Sequence, residues 1–522
     1  MRILGLTFEH AVAATVLGRR LSNADARTSR ILVAILFLLP AALHAQSGAI
    51  PSSAAQVPAE YRAMYDELDA QLAALDSAVS ARRAGATHPV TWATELLVAN
   101  SNRGEALLAP QTMTGVTLTL DRLKDMGFRG ISIAVDYPIL VPEFPRAAEY
   151  LDFYRRVAQE VRSRGMSLHI GAQTIFPNPA FSSLPVDYSG LTIEKYTRDK
   201  IRMVRDIIGS IGPDYLTIEN EPQTMQMNTG LPFTVETVLG IVHTITDSVQ
   251  RGNVKLGAGA GTWDDPVFCR RLAQETSLDY IDLHVYPIQR EFVLERVADI
   301  AALVARANKR LVLGESWLYK VRDSELGGPA ATAADVFARD IFSFWSPLDI
   351  RFAELIHGLA HLTRMDFASL FWMRFFYGYV EYDTRTRALP PAAAFRTADS
   401  VAARNIVLNA LSPTGTAVRA MLLRTDATPP PAPGGSGFRI ESVRPSGSRG
   451  AAILRFTAPR ACEATVRVYD ALGRLVFARS VGVPSQGQHE VSITRGTVSR
   501  LMLYVTLESA GLGSATILLP PL

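Results

Sequence analysis

Tyr215-Leu216-Thr217-Ile218-Glu219-Asn220-Glu221-Pro222 passes directly from a short apolar run into two glutamates and a proline. The run is short and bounded, as expected of a strand covered on both faces. Val235–Gln250 then shows helical periodicity, and a second short run, Lys255–Ala260, follows it. Strand, helix and strand in that order form the unit of a parallel sheet with right-handed crossovers.

The alternation continues in both directions. Thr91–Ala99, Gly130–Val135 and Ser167–Ala172 precede, while Tyr280–Val285, Arg310–Leu313 and Ala368–Met373 follow, giving eight runs in all. Between them lie periodic segments such as Val116–Met126, Ala147–Arg164, Ile193–Ile211, Val267–Glu275, Val293–Ala307 and Phe352–Met365, with Ser400–Leu411 for the last turn. The fold class is therefore α/β, and residues 90–427 are expected to form a closed (β/α)8 TIM barrel, typically about 250 residues before insertions. An open doubly wound sheet would carry Gly-x-Gly-x-x-Gly after its first strand, and that turn is missing. Gly257-Ala258-Gly259-Ala260-Gly261 lacks the Lys-Ser/Thr of a phosphate loop, so it predicts close packing within a strand.

The remaining chain divides around this barrel. Arg27 and Arg30, the apolar run Ile31–Leu39 and the small residues up to Ala45 predict a signal peptide over residues 1–45, too short to span a bilayer. Residues 46–89 comprise a Ser/Ala/Pro-rich linker and an amphipathic helix, Ala59–Arg83, whose apolar stripe predicts packing and no chemistry. Residues 428–437 are a Pro/Gly linker, and residues 438–522 show short alternating strands with a turn at Asp470-Ala471-Leu472-Gly473, expected to form a small all-β, Ig-like sandwich.

Composition excludes several functions. Of 522 residues, 53 are basic and 50 acidic, a balance that gives no footprint for nucleic acid. The only cysteines, Cys269 and Cys462, fall in different expected domains, which excludes a disulfide framework and a cysteine zinc site. A metal hydrolase on this fold would want His-x-His at the first strand, whereas His88, His169 and His284 stand apart. No metal or cofactor is expected, and the chain is expected to act as a monomer.

Chemistry on such a barrel belongs where strands end. The fourth run ends at Asn220-Glu221, the sixth at His284-Val285-Tyr286, the seventh at Gly314-Glu315-Ser316-Trp317, and the eighth holds Trp372. Strands four and seven face one another across a ring of eight, so Glu221 and Glu315 can supply the paired carboxyls of retaining glycoside hydrolysis, about 5–5.5 Å apart. One gives a proton to the leaving oxygen while the other attacks the anomeric carbon. Trp372 offers an apolar floor for a sugar ring, Trp317 a neighbouring subsite, and Gln173 a polar reach from the third strand. Glu219 is assigned to barrel packing or an ion pair. His284 fits either a satisfied structural histidine or a sugar-binding donor.

With these residues the chain resembles clan A of the glycoside hydrolases over roughly Val90 to Leu423: Asn-Glu-Pro after the fourth strand, Tyr near the sixth, Glu ending the seventh and Trp on the eighth. The resemblance implies Glu221 as acid/base, Glu315 as nucleophile, Asn220 on the sugar 2-hydroxyl and Tyr286 orienting Glu315. Many clan members also carry an Arg near the first or second strand end; here the second ends Val135-Asp136-Tyr137-Pro138, and Arg103 lies beyond the first. The implied activity is secreted or cell-surface hydrolysis of a β-linked poly- or oligosaccharide. A non-catalytic glycan-binding protein on the same scaffold is the alternative.

Val466-Arg467-Val468-Tyr469-Asp470-Ala471-Leu472-Gly473-Arg474-Leu475-Val476, with Gly487-Gln488-His489 and Leu503-Tyr504-Val505, resembles C-terminal sorting domains of the type IX secretion pathway. That resemblance implies the secretion machinery as a partner. A plain Ig-like or carbohydrate-binding accessory module is the other reading.

Overall fold

The computed structural model describes residues 57–83, 87–325, 333–426, 439–445, 451–458, 460–470, 475–494, 503–509 and 513–519. The expected leader at 1–45, the linker at 428–437 and turn residues 471–473 lie outside the described residues. The chain divides into two compact units, 1–424 and 425–522.

In the first unit, eight strands close into a parallel barrel in sequential order: β1 (Thr91–Glu95), β2 (Gly130–Ala134), β3 (Ser167–Gly171), β4 (Tyr215–Glu219), β5 (Lys255–Gly261), β6 (Tyr280–Val285), β7 (Arg310–Ser316) and β8 (Phe367–Leu370). Helices lie between them, several started by the side chains their sequences supply. Thr192 Oγ1 accepts from Lys195 N at 3.2 Å ahead of helix Ile193–Asp206, and Thr234 Oγ1 caps Thr237 N at 3.2 Å ahead of Val235–Ser248. Each bond satisfies a donor that the first helical turn leaves open.

Two expected runs are shorter than their apolar stretches. The first stops at Glu95 and turns into a 3-10 segment, Leu97–Ala99, while the eighth stops at Leu370, before the cis peptide Phe371-Trp372. Apolar composition alone does not mark where barrel pairing ends.

The barrel interior is filled in layers. Ala93, Tyr215, Tyr280, Val312 and Phe367 form an apolar plug. Above it Ser132 and Thr217 flank His169 at 2.8 and 2.9 Å, and Thr217 donates to Asp282 at 2.7 Å. The glycines of β5 make room for this layer. A Cβ on Gly257 would meet the Tyr280 ring at 2.1 Å, and one on Gly259 the Asp282 carbonyl at 1.7 Å.

Helix Ala59–Arg83 buries Leu68, Leu72, Leu75 and Val79 against helix Ser346–Leu362, so the amphipathic stripe joins the barrel's outer layer. Arg351 pairs with Asp69 across that seam.

The second unit holds antiparallel sheets of three strands (β13-β10-β9) and four (β12-β11-β14-β15), where β9 is Arg439–Pro445, β10 Ala451–Ala458, β11 Cys462–Asp470, β12 Leu475–Val483, β13 Gly487–Thr494, β14 Leu503–Ser509 and β15 Gly513–Leu519. Alternate residues of both sheets, Leu454 and Phe456 with Val466 and Val468, enter one apolar cluster. That alternation is the pattern of strands with one buried face.

Candidate active site

Glu221 is the residue on which the mouth turns. It sits just past β4 with φ 43° and ψ 63°, and Pro222 starts helix Pro222–Thr229 immediately after it. A side-chain-bearing residue in this left-handed region costs about 1–3 kcal/mol, and such strain concentrates at functional sites. The turn leaves Glu221 6 % exposed beside β6.

Two residues of β6 and its end hold the two carboxylates separately. His284 Nδ1 lies 2.5 Å from Glu221 Oε1, and Tyr286 donates its hydroxyl to Glu315 Oε2 at 2.6 Å. His284 Nδ1 is also 3.6 Å from Glu315 Oε2. A carboxylate oxygen of each glutamate and a ring nitrogen of His284 fall within 4.8 Å of one another. The His284–Glu221 separation is that of a hydrogen bond; two ligands of one zinc ion would stand about 3.3 Å apart. Within the trio His284 hydrogen-bonds Glu221 and faces Glu315 as an ion-pair contact.

Electrostatics follow from this crowding. Burial raises the Glu315 carboxyl above its usual range, and the nearby Glu221 charge adds to that, against the pull of His284 and Tyr286. Burial works against a charge on His284, but Glu315 and Glu221 outweigh it and hold the ring well above the ordinary histidine range. A protonated ring donates from both nitrogens. Its Nε2 is 3.1 Å from Asn220 Nδ2, while Asn220 Oδ1 has no hydrogen-bond partner among the described residues. With Oδ1 turned toward Nε2, that oxygen is satisfied and the amide NH2 is released.

Asp282 lies beneath both carboxylates and is fully buried. Burial pushes its carboxyl up, but the His169 and His284 rings facing it at 3.6 and 3.8 Å overcome this and hold it low. Its Oδ1 accepts from Gly314 N at 2.8 Å, and a Cβ on Gly314 would come within 2.6 Å of that carboxylate. The glycine before Glu315 is thus required by close approach, and one anion braces the strand of Glu315 and the histidine of Glu221.

The other sequence-predicted residues divide. Trp372 reaches the mouth partly exposed, with the Arg374 guanidinium 5.4 Å over its ring. Gln173 is 8 % exposed, and its Nε2 stands a long 3.5 Å from Glu315 Oε1. Two expectations need correction. Trp317 does not line a subsite: it is 2 % exposed, stacked on Phe375 at 5.3 Å behind β7. His284, wholly buried, presents no face to a sugar and acts on Glu221 instead. Asn220, 1 % exposed, likewise meets His284 first. Glu219 joins the ion pair with buried Lys200 at 3.4 Å and accepts from Tyr196.

Several residues near the mouth carry little sign in the sequence. Glu95, ending β1, is 1 % exposed, with burial raising its carboxyl to about 7. Asp264 past β5 is raised to about 7 by burial and by the Glu221 charge. Phe337, on helix Ala333–Arg339, touches Tyr286, Tyr319 and Trp372 at ring separations of 6.1, 5.5 and 5.6 Å. The misjudged end of the first strand concealed Glu95; the long insertion after β7 concealed Phe337.

No protein-family model matches the chain, and no curated protein matches it. Among solved structures, similarity extends to a GH5_18 protein from Bifidobacterium longum subsp. infantis, 13% identical over 67% of this chain and 82% of that one, TM-score 0.43. A GH30 endoxylanase from Clostridium papyrosolvens is 11% identical over 79% of this chain and 98% of its own, TM-score 0.37. The virulence factor SghA from Agrobacterium tumefaciens is 11% identical over 62% and 99%, TM-score 0.38. Likenesses this distant leave the reading of the site to its own geometry.

Proposed function

We propose that the chain is a retaining glycoside hydrolase acting on β-linked sugars, with Glu221 as acid/base and Glu315 as nucleophile. The observation that carries this is the carboxylate pair at the ends of β4 and β7, with one oxygen of each within 4.8 Å of the other, a close pair of the kind double displacement uses. Burial and the Glu221 charge raise the Glu315 carboxyl, and the His284 ring opposes them. The Tyr286 hydroxyl favours the ionised form of Glu315, the form in which it attacks, and Glu221 takes the part of proton donor.

A Glu315 oxygen then attacks the anomeric carbon. The bond to the leaving oxygen breaks, and that oxygen takes the Glu221 proton. In the second half, Glu221 removes a proton from water, whose oxygen displaces Glu315 and releases the sugar with retained configuration. The partly exposed Trp372 supports a sugar ring by apolar contact.

The test is hydrolysis of a panel of aryl β-glycosides. Glu315→Ala abolishes turnover, and azide restores it as a glycosyl azide. Full turnover in Glu315→Ala overturns the assignment; sugar binding without any product favours the non-catalytic reading. The leader-like N-terminus and the C-terminal module support export to the cell surface, a proposal checked by fractionating cells that express the chain with and without residues 438–522.

A further inference from the structure

The two sides of the mouth are built differently. Glu221 protonates the leaving group, so the aglycone lies toward β4 and β5. The glycone side of the mouth is then the side across the ring from β4 and β5, at β8 and β1. On that side the connecting loops are fused. Phe176 N donates to Asn102 Oδ1 at 3.1 Å, and Ser183 N to Asn102 O at 2.9 Å, tying the loop after β3 to the loop after β1. Gly104 makes the approach possible: its φ is +55°, and a Cβ there would come within 2.7 Å of the Leu184 side chain.

From this joined loop Phe181 reaches the segments that follow β7 and β8. Its ring centroid is 5.9 Å from Phe337 and 5.9 Å from Phe395. Phe337 meets Trp372 at 5.6 Å, and Arg374 lies over Trp372 at 5.4 Å and over Phe395 at 5.7 Å. Phe181, Phe337, Trp372, Arg374 and Phe395 thus form a closed circuit of contacts, with loops from β1 and β3 behind it. Glu315 keeps 20% of its side chain exposed, so the pair is still reached from solvent.

We infer that this wall ends the site after one sugar, making the protein an exo-acting glycosidase that removes a single non-reducing-end residue. The inference rests on the glycosidase reading above. A polymer chain running through the site would need the glycone side open, and that side is occupied by packed rings. The blind end also has hydrogen-bonding capacity to spare. Glu95 Oε2 and Arg374 Nε are buried without a hydrogen-bond partner among the described residues. Buried polar groups are ordinarily satisfied, and the hydroxyls of a terminal sugar are suitable partners.

The experiment follows reducing-end-labelled β-linked oligosaccharides of whichever sugar is released from the aryl-glycoside panel. The expected course shortens them by one residue at a time, and a methyl ether on the terminal non-reducing hydroxyls stops cleavage. Phe181→Ala, which opens the wall, should raise release of two-residue products at least tenfold relative to single sugars. Internal fragments at the earliest times, or cleavage of the methyl-blocked substrate, overturn exo action and leave the glycosidase reading standing. An unchanged product pattern in Phe181→Ala overturns the role given to the wall. Failure to cleave any β-glycoside removes both readings.

Discussion

His284 Nδ1 stands 2.5 Å from Oε1 of Glu221, at the bottom of a mouth where neither residue is more than 6 % exposed. A cation there, facing both glutamates, sets the orientation of the proposed acid/base. His284→Ala should therefore lower kcat by about 10²-fold, the scale of a lost acid–base contribution. The basic limb of the pH–rate profile should move as well. A profile unchanged in shape would assign the histidine a purely structural part.

Glu315 gives a stability prediction whose sign follows from linkage. Burial and the Glu221 charge raise its carboxyl in the folded chain, so the folded state binds more protons than the unfolded one above the ordinary carboxylate range. Its contribution to stability is complete below about pH 4.3, the unfolded value, and is lost as pH rises through the higher folded value. Glu315→Gln should raise Tm at pH 8, by about 2 °C for each kcal/mol regained, and leave it unchanged at pH 4. Thermal melts at both pH values decide this.

Asp282 and Gly314 supply a third test. Asp282→Asn keeps the shape but removes the anion that faces His169 and His284 at 3.6 and 3.8 Å. The expected result is a fall in kcat with KM nearly unchanged, together with a shifted pH profile. Gly314→Ala forces a Cβ toward that carboxylate and should cost about 1–3 kcal/mol, the usual range for overpacking. Denaturant melts and steady-state rates separate the two effects.

The two tryptophans should behave oppositely. Trp372→Ala should raise KM while leaving the fold intact, since its ring is partly exposed at the mouth. Trp317→Ala, which empties a buried site against Phe375, should destabilise by about 3–5 kcal/mol. If Trp317→Ala changed KM alone, its assignment to the core would fail.

Lys200 tests the buried ion pair that supports β4. It is wholly buried with Glu219 at 3.4 Å, and it also donates to the Ala172 carbonyl. Lys200→Met leaves a buried carboxylate without its cation and should cost about 3–5 kcal/mol, whereas adding Glu219→Gln should recover part of that. Urea melts of the single and double variants measure the recovery.

The barrel was legible because eight short apolar runs alternate with amphipathic segments, and only parallel βαβ units bury that pattern. Glu221 and Glu315 were legible because polar residues directly after buried runs belong at the mouth. Trp317 was not. Past Ser316 the chain leaves the strand, and composition does not say whether the next ring faces the mouth or the outer layer. Glu95 was hidden within an apolar stretch that continues into a 3-10 turn, so the strand's real end could not be read.

By itself, the sequence determined the periodicities: which segments pair as strands, which faces of helices are covered, and which acids stand at strand ends. Those properties are local, arising from residue spacing and the need to bury apolar surface. Tertiary structure alone decided that His284 grips Glu221, that Asp282 accepts from the Gly314 backbone beside Glu315, and that Phe181 meets Phe337 and Phe395. Each joins residues from different strands or loops. Such contacts depend on barrel closure and on loop paths, which distant parts of the chain set together.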